Sequence, residues 1–191
     1  YYRSVLTEEN GFSAYVVGGC VRDFLLGLSP TDWDICTSAL PEEIKRLFPK
    51  TLDIGISHGT ICVLLNQNLF EVTTFRKDGD YLDNRRPESV TFTPSVTEDL
   101  ARRDFTVNAM AMDKTGNVVD IFNGKKDLEA KLIRAVGNPE IRFSEDALRI
   151  IRALRFSAML GFDIEENTAK ACKSLFSLLK NVHPQRLRAE L

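Results

Sequence analysis

The 191-residue chain has no apolar run approaching the length of a membrane span, and its first residues have none of the features of a secretory signal. It has no C-x-x-C pair. Its four cysteines, Cys20, Cys36, Cys62 and Cys172, are widely spaced and read as small buried hydrophobes of a reducing compartment. Histidine is scarce. Neither His58 nor His183 suits a general base, and His58, within Gly55-Ile56-Ser57-His58-Gly59, suits a supporting turn. There is no basic excess either: 25 Lys and Arg stand against 27 Asp and Glu, so no global field announces a nucleic-acid partner and any RNA site must be a local patch. Repeats and low-complexity stretches are absent. These features lead us to expect a cytoplasmic protein with no membrane partner. The chain opens Tyr1-Tyr2-Arg3 and stops inside a helical pattern at Glu190-Leu191, so it is expected to be a piece of something longer.

What is present is concentrated near the start. A short apolar strand, Tyr15-Val16-Val17, runs into Gly18-Gly19 and then a helix containing Arg22 and Asp23; Asp32-Trp33-Asp34 follows. Glycines allow a phosphate to approach the backbone, and a helix start offers unsatisfied N–H donors. Residues 33–37 read as a strand. Alternate strand residues share a face, which sets Asp32 and Asp34 side by side roughly 6–7 Å apart and turns Trp33 to the core. Two carboxylates beside a phosphate cradle can hold Mg²⁺ against a triphosphate. Either motif alone is commonplace, a tight turn or a solvated strand end; in this order and spacing they point to nucleotidyl transfer.

Organisation changes near Gly137-Asn138-Pro139. Before it, β-like runs at 14–17, 33–37, 59–65, 69–75 and 118–121 alternate with helices, one begun by Pro41-Glu42-Glu43, and a tight hairpin turn is expected around Asn66-Gln67-Asn68. After it the pattern is almost entirely helical. The expectation is an α/β head over residues 1–137, a mixed sheet with helices, followed by an all-helical neck over 138–191.

Three further segments carry chemistry. In the strand 68–76, Glu71 sits opposite to Phe70 and Val72, either facing solvent or acting as a third acid near the metal. The polar loop 77–87 is a solvated connection or a functional element. Residues 98–111 read as a helix with a buried face at 100, 101, 105, 109 and 111; Asp104 and Asn108 stack four apart beside Arg103, suited to gripping ribose and phosphate or to an ordinary salt-bridged surface. Lastly, Ser144 reads as the N-cap of a helix whose apolar face is Ala147, Ile150, Ile151, Leu154 and Ala158. Arg149, Arg152 and Arg155 lie opposite, interleaved with Leu148, Phe156 and Met159, as on a cleft wall. Asp146 beside Arg149 offers an acceptor and donors for a base edge, and the competing reading is a Glu145–Arg149 surface pair.

Taken together, these motifs resemble the class II tRNA nucleotidyltransferases, or CCA-adding enzymes, and the related bacterial poly(A) polymerases, from about Tyr15 to the end. Gly18-Gly19-x-Val21-Arg22-Asp23 with Asp32-x-Asp34 is similar to their metal and triphosphate motif, and Arg102-Arg103-Asp104-Phe105-Thr106-x-Asn108 to their ribose-sensing motif. Asp120–Gly124 with Asp127-Leu128 is similar to the element joining head and neck, Glu145-Asp146-x-x-Arg149 to the amino-acid template selecting CTP or ATP, and residues 182–187 to the last motif, where serine is commoner than His183. The resemblance implies a polymerase-β-like nucleotidyltransferase head, Mg²⁺ on Asp32 and Asp34, Glu71 as a third acid, and nucleotide contacts at Gly18, Gly19, Arg22, Arg103, Asp104, Asn108, Asp146, Arg149, Arg152 and Arg155. It implies CTP, ATP and a tRNA 3′ end as partners, with the body and tail that grip tRNA lying beyond Leu191. A poly(A) polymerase and a catalytically dead RNA-binding module are the rival readings. The full-length polar loop favours an enzyme able to add the terminal A.

Overall fold

The computed structural model describes residues 9–79, 81 and 89–190, so most of the polar loop of 77–87 lies outside the described residues. β1 (Ala14–Val17) passes through Gly18 into α1 (Gly19–Leu25), and β2 (Ile35–Thr37) leads to α2 (Pro41–Leu47). Three strands follow, β3 (Thr51–Gly55), β4 (Thr60–Leu65) and β5 (Asn68–Thr74), then the pair β6 (Arg76–Asp78) and β7 (Val90–Phe92). Next come α3 (Val96–Ala101), β8 (Ala111–Met112), β9 (Val118–Val119), α4 (Gly124–Glu129) and β10 (Leu132–Ile133). The chain finishes with α5 (Pro139–Glu145), α6 (Leu148–Leu160), β11 (Asp163–Ile164), α7 (Glu166–Ser174) and α8 (Pro184–Glu190).

Seven strands form one mixed sheet in the order β3-β4-β5-β2-β1-β8-β9, with β2 and β5 parallel and the other pairs antiparallel. The β4–β5 hairpin closes through Asn66 and Gln67, both at positive φ, which matches strand twist in a two-residue turn. Proline at the start of α2 sacrifices no helical donor, and Glu43 Oε2 accepts the Leu40 N–H at 2.7 Å, satisfying a backbone donor just before the helix. One face of the sheet buries Ile35, Ile61, Val63 and Val72 against Ile44 and Phe48 of the α2 region. The other buries Val17, Cys36, Phe75 and Ala111 with Leu100 of α3. A third and larger cluster runs from Cys20 and Val21 of α1 through Phe105, Val107 and Met110 to Phe143, Ile150, Ala153 and Phe156, so α1 and the late helices share one core.

Three expectations fail here. Residues 98–111 are not one helix: α3 stops at Ala101, Phe105 bridges Ala135, and Thr106–Asn108 form a single 3₁₀ turn. Asp104 breaks the helix by turning its carboxylate onto the next backbone N–H, that of Phe105, at 2.8 Å. Second, Ser144 does not begin a helix. It lies inside α5, whose N-cap is Asn138, and α6 starts beyond a break at Asp146-Ala147, where Asp146 Oδ1 accepts the Leu148 N–H at 3.1 Å. Third, the buried face of α6 is Arg149, Ile150, Ala153 and Phe156, while Leu154 is 49% exposed. The helix is rotated because Arg149 turns inward, with hydrogen bonds compensating its burial. The late region also contains one short strand, β11, parallel to β10.

Candidate functional site

The site begins at the corner between β1 and α1. Gly18 has φ 82° and ψ −135°, a conformation reserved for glycine. A Cβ there would lie 3.2 Å from Arg103 Nη1 and 3.9 Å from Asp34 Oδ2, so its bare backbone lets a guanidinium and a carboxylate converge. Gly18's own N–H donates to Met110 O at 3.2 Å, so this residue contributes space, not a free donor. Gly19 opens α1, and a Cβ there would meet Arg22 at an ordinary 3.5 Å.

Asp34 lies just before β2, its carbonyl accepting the Val17 N–H at 3.0 Å, with Asp32 two residues earlier and both side chains exposed. Trp33 turns to the core as expected. The Asp34 carboxyl is pushed above its ordinary range, first by desolvation and then by the Asp32 charge, with Arg103 opposing. Glu71 follows from the parallel register: Ile35 pairs with Val72, so Glu71 sits one step back on β5, next to Asp34, and is exposed. Among the described residues no three His, Cys, Asp or Glu side chains close into a metal cage. An exposed oxygen-donor pair fits Mg²⁺, which typically takes one or two carboxylates and completes its shell with substrate phosphates and water.

The opposite side is built of arginines held by acids. Arg103 Nη2 donates to Asp99 Oδ2 at 3.1 Å, and Arg102 meets Asp99 Oδ1 through Nε at 2.9 Å and Nη2 at 2.8 Å. Burial would raise the Asp99 carboxyl, but the two guanidiniums hold it below the usual range. Arg22 is buried, donating to Asn108 Oδ1 and Asp23 Oδ1, both at 2.8 Å. Asn108 Nδ2 meets Asp104 Oδ1 at 3.4 Å, so that pair is joined despite the absent helix. Asp104 Oδ2 accepts Arg152 Nε at 2.8 Å and lies 2.6 Å from its Nη2; against burial, this contact keeps the Asp104 carboxyl low.

The late helices close the wall. Arg149 Nη1 donates to Arg142 O at 3.0 Å and Glu145 Oε2 at 2.8 Å, and its Nη2 to Arg102 O at 3.0 Å. The Glu145–Arg149 ion pair of the plainer reading thus exists, but on a buried arginine. Asp146 Oδ2 faces Arg186 Nη2 of α8 at 3.4 Å; desolvation raises the Asp146 carboxyl although Arg186 and Arg149 oppose it. Asp146 O accepts the Arg149 backbone N–H at 3.1 Å, so the two residues adjoin through the chain at the start of α6. Around the Phe156 ring gather the guanidiniums of Arg22, Arg152 and Arg155, at 5.2, 5.2 and 4.8 Å from its centroid.

Two supporting acids escaped the sequence reading. Asp99 had a signal, its spacing of three and four to Arg102 and Arg103. Glu190 had none, because its partners Arg152 and Arg155 lie far away in sequence. The atypical His183 also has an account: its Nδ1 accepts the Gln185 N–H at 3.3 Å, as a serine hydroxyl does at the start of a helix. His58 supports a turn as expected, its carbonyl bonded by Arg76. In the connecting element, Asp120 accepts the N–H groups of Gly124 and Lys125 at 2.7 and 2.9 Å, and Asp127 accepts Thr106 Oγ1 at 2.7 Å.

The family model described as the poly A polymerase head domain matches residues 14–134, and one described as a "probable RNA and SrmB-binding site of polymerase A" matches 161–191. A CCA-adding enzyme of Leuconostoc citreum (strain KM20) is 56% identical over 183 residues, covering 96% of this chain and 45% of that protein. One from Enterococcus faecalis (strain ATCC 700802 / V583) is 53% identical over 188 residues, with coverages of 97% and 46%. Among solved structures, the Bacillus stearothermophilus CCA-adding enzyme in complex with CTP matches with a TM-score of 0.91 and 45% identity, over 98% of this chain and 45% of that one. The Thermotoga maritima CCA-adding enzyme complexed with tRNA_CCA matches with a TM-score of 0.77 and 31% identity, over 98% and 44%. The chain spans about half the length of the curated relatives it matches.

Proposed function

Because this chain belongs to the poly(A) polymerase head-domain family, we propose that it is the catalytic part of an RNA 3′-end nucleotidyltransferase that adds C and A to tRNA from CTP and ATP, releasing pyrophosphate. The observation that carries this reading is the convergence of Asp34 and Arg103 across Gly18, with Asp32 on the Asp34 side. That corner sets an acid pair beside cations, the charge arrangement that phosphoryl transfer requires. Four buried free cysteines suit a cytoplasmic setting.

The RNA 3′-hydroxyl attacks the α-phosphate of the nucleotide in line, and pyrophosphate leaves. Mg²⁺ held by Asp32 and Asp34 would supply charge neutralisation and a lowered pKa for the attacking hydroxyl. Glu71, beside Asp34, is a third acid of the same face. Gly18 and Gly19 leave room for the triphosphate, while Arg22, Arg103, Arg152 and Arg155 supply its donors. Asp104 and Asn108 hold the ribose end through the bonds that tie them to Arg152 and Arg22.

Base choice falls to Asp146 and Arg149. Of the five N–H donors of an arginine, Arg149 spends three on Arg142, Glu145 and Arg102. Its Nε–H and one Nη2–H remain for a base edge, and those internal bonds fix their direction. The division into a head of 1–137 and a neck of 138–191 is one of role: the first carries the acids and the second the base-reading wall.

The deciding experiment gives the full-length protein a tRNA lacking its 3′ end, with CTP and ATP supplied separately and together. Two C residues with CTP alone, and a completed CCA with both, are expected. A poly(A) polymerase would extend with ATP alone and use CTP poorly, whereas a non-catalytic module would yield no product.

A further inference from the structure

The last helix supplies one carboxylate to two of the arginines assigned above to the triphosphate. Glu190 Oε1 lies 3.2 Å from Arg152 Nη1, and Glu190 Oε2 lies 3.1 Å from Arg155 Nη1. The two guanidiniums are not equally secured. Arg152 is also gripped by Asp104, whereas Arg155 otherwise rests on the Phe156 ring. Both share that ring with Arg22, so three like charges crowd one phenyl group and repel unless offset. Asp23 offsets Arg22 and Asp104 offsets Arg152, which leaves Glu190 as the carboxylate for Arg155.

The depth of the carboxylate separates two roles. A carboxylate standing in front of the arginines would compete with phosphate and act as a gate. Glu190 is behind them: its side chain is 12% exposed, against 31% for Arg152 and 36% for Arg155. It therefore meets the guanidiniums from the protein side and leaves their outer N–H groups for a ligand. A second contact from the same helix, Arg186 to Asp146, fixes α8 against the start of α6.

We propose that Glu190 is a positioning residue for nucleotide binding, bridging Arg152 and Arg155 so that they present a fixed pair of forked donors to the triphosphate. The proposal rests on the assignment of those arginines to the triphosphate, and its test separates the two. In the full-length protein, kcat and KM for CTP and ATP are measured for E190A, E190Q, E190D, R155A and the E190A/R155A double variant, with thermal melting to verify folding. E190A is expected to raise the nucleotide KM by about tenfold, the scale of one lost charge-assisted bond, with little change in kcat. E190D should recover most of that loss, and E190Q, which preserves shape and melting behaviour, should fall between. The double variant should lose less than the product of the two single losses, because part of the effect of Glu190 passes through Arg155 and the rest through Arg152.

A lower KM in E190A or E190Q would overturn the proposal in favour of a gate. A fall in kcat at unchanged KM, or a double variant whose losses simply multiply, would overturn it as well. If R155A leaves the nucleotide KM untouched, the triphosphate assignment itself fails and the role of Glu190 falls with it.

Discussion

The two sides of the cleft handle charge in opposite ways. On the sheet side, Asp32 and Asp34 stand two residues apart, and the Asp34 carboxyl is raised by desolvation and by the Asp32 charge. On the helical side, Arg22, Arg103, Arg149, Arg152 and Arg155 are matched by Asp23, Asp99, Glu145, Asp104 and Glu190. The buried acids there, Asp99 and Asp104, are held low by their guanidiniums. Removing a sheet-side acid should therefore relieve repulsion, while removing a helical-side acid strands cations in a low-dielectric interior.

The largest effect expected from breaking this contrast is on activity. Asp32→Ala or Asp34→Ala should abolish nucleotide incorporation by the full-length enzyme, while thermal melting stays level or rises. Retention of more than about a tenth of the activity would remove the pair from the metal site. The converse variant, Asp99→Ala, should destabilise by about 3 kcal/mol in denaturant unfolding, because it removes the fully buried carboxylate that both half-buried guanidiniums of Arg102 and Arg103 share. A loss under about 1 kcal/mol would mean solvent already screens that cluster.

A smaller effect should appear in base choice. Asp146→Ala should blur the preference for CTP and ATP over GTP and UTP by about 1–3 kcal/mol, measured as relative kcat/KM. Arg149→Ala is the less clean probe, since Arg149 also ties the Arg102 and Arg142 carbonyls together. Equal loss for all four nucleotides in the Asp146 variant would make that residue structural.

The smallest effect is a pH signature. The Asp99 and Asp104 carboxyls are depressed on folding, so their stabilisation is complete above the ordinary aspartate pKa and is lost as pH falls through their lower folded values. Asp34 and Asp146 are raised, so the folded chain binds protons more readily there, and mild acidification between the ordinary and raised values stabilises. Urea unfolding from pH 7 downward should show a shallow rise before the acid loss, and Asp34→Asn should flatten the rise. A monotonic fall in the wild-type protein would contradict the raised carboxyls.

Local features were legible in the sequence: β1 at Ala14–Val17, the Gly18 corner, the Pro41 helix start and the hairpin at Asn66-Gln67. Each is dictated by a few adjacent residues. The failures have a common cause, a contact between segments far apart in sequence. Periodicity carries residues 98–111 as a helix because it does not register that Asp104 turns onto its own backbone or that Phe105 bridges Ala135. The face of α6 is misjudged because an arginine counts as a surface residue until the Arg102 and Arg142 carbonyls are seen to receive it. The resemblance supplied site residues by motif. It did not supply the acids behind them, since Glu190 is selected by Arg152 and Arg155 across the fold.

The cluster that joins Cys20 and Val21 to Phe105, Phe143, Ile150 and Phe156 makes α6, with the arginine proposed to read the base, part of the same cooperative unit as the glycine corner. A chain severed near residue 137 would leave both halves with an open apolar flank, so neither piece should melt with a sharp transition. Their reassociation should be driven by water leaving that flank, and activity restored by mixing would track the refilling of this core.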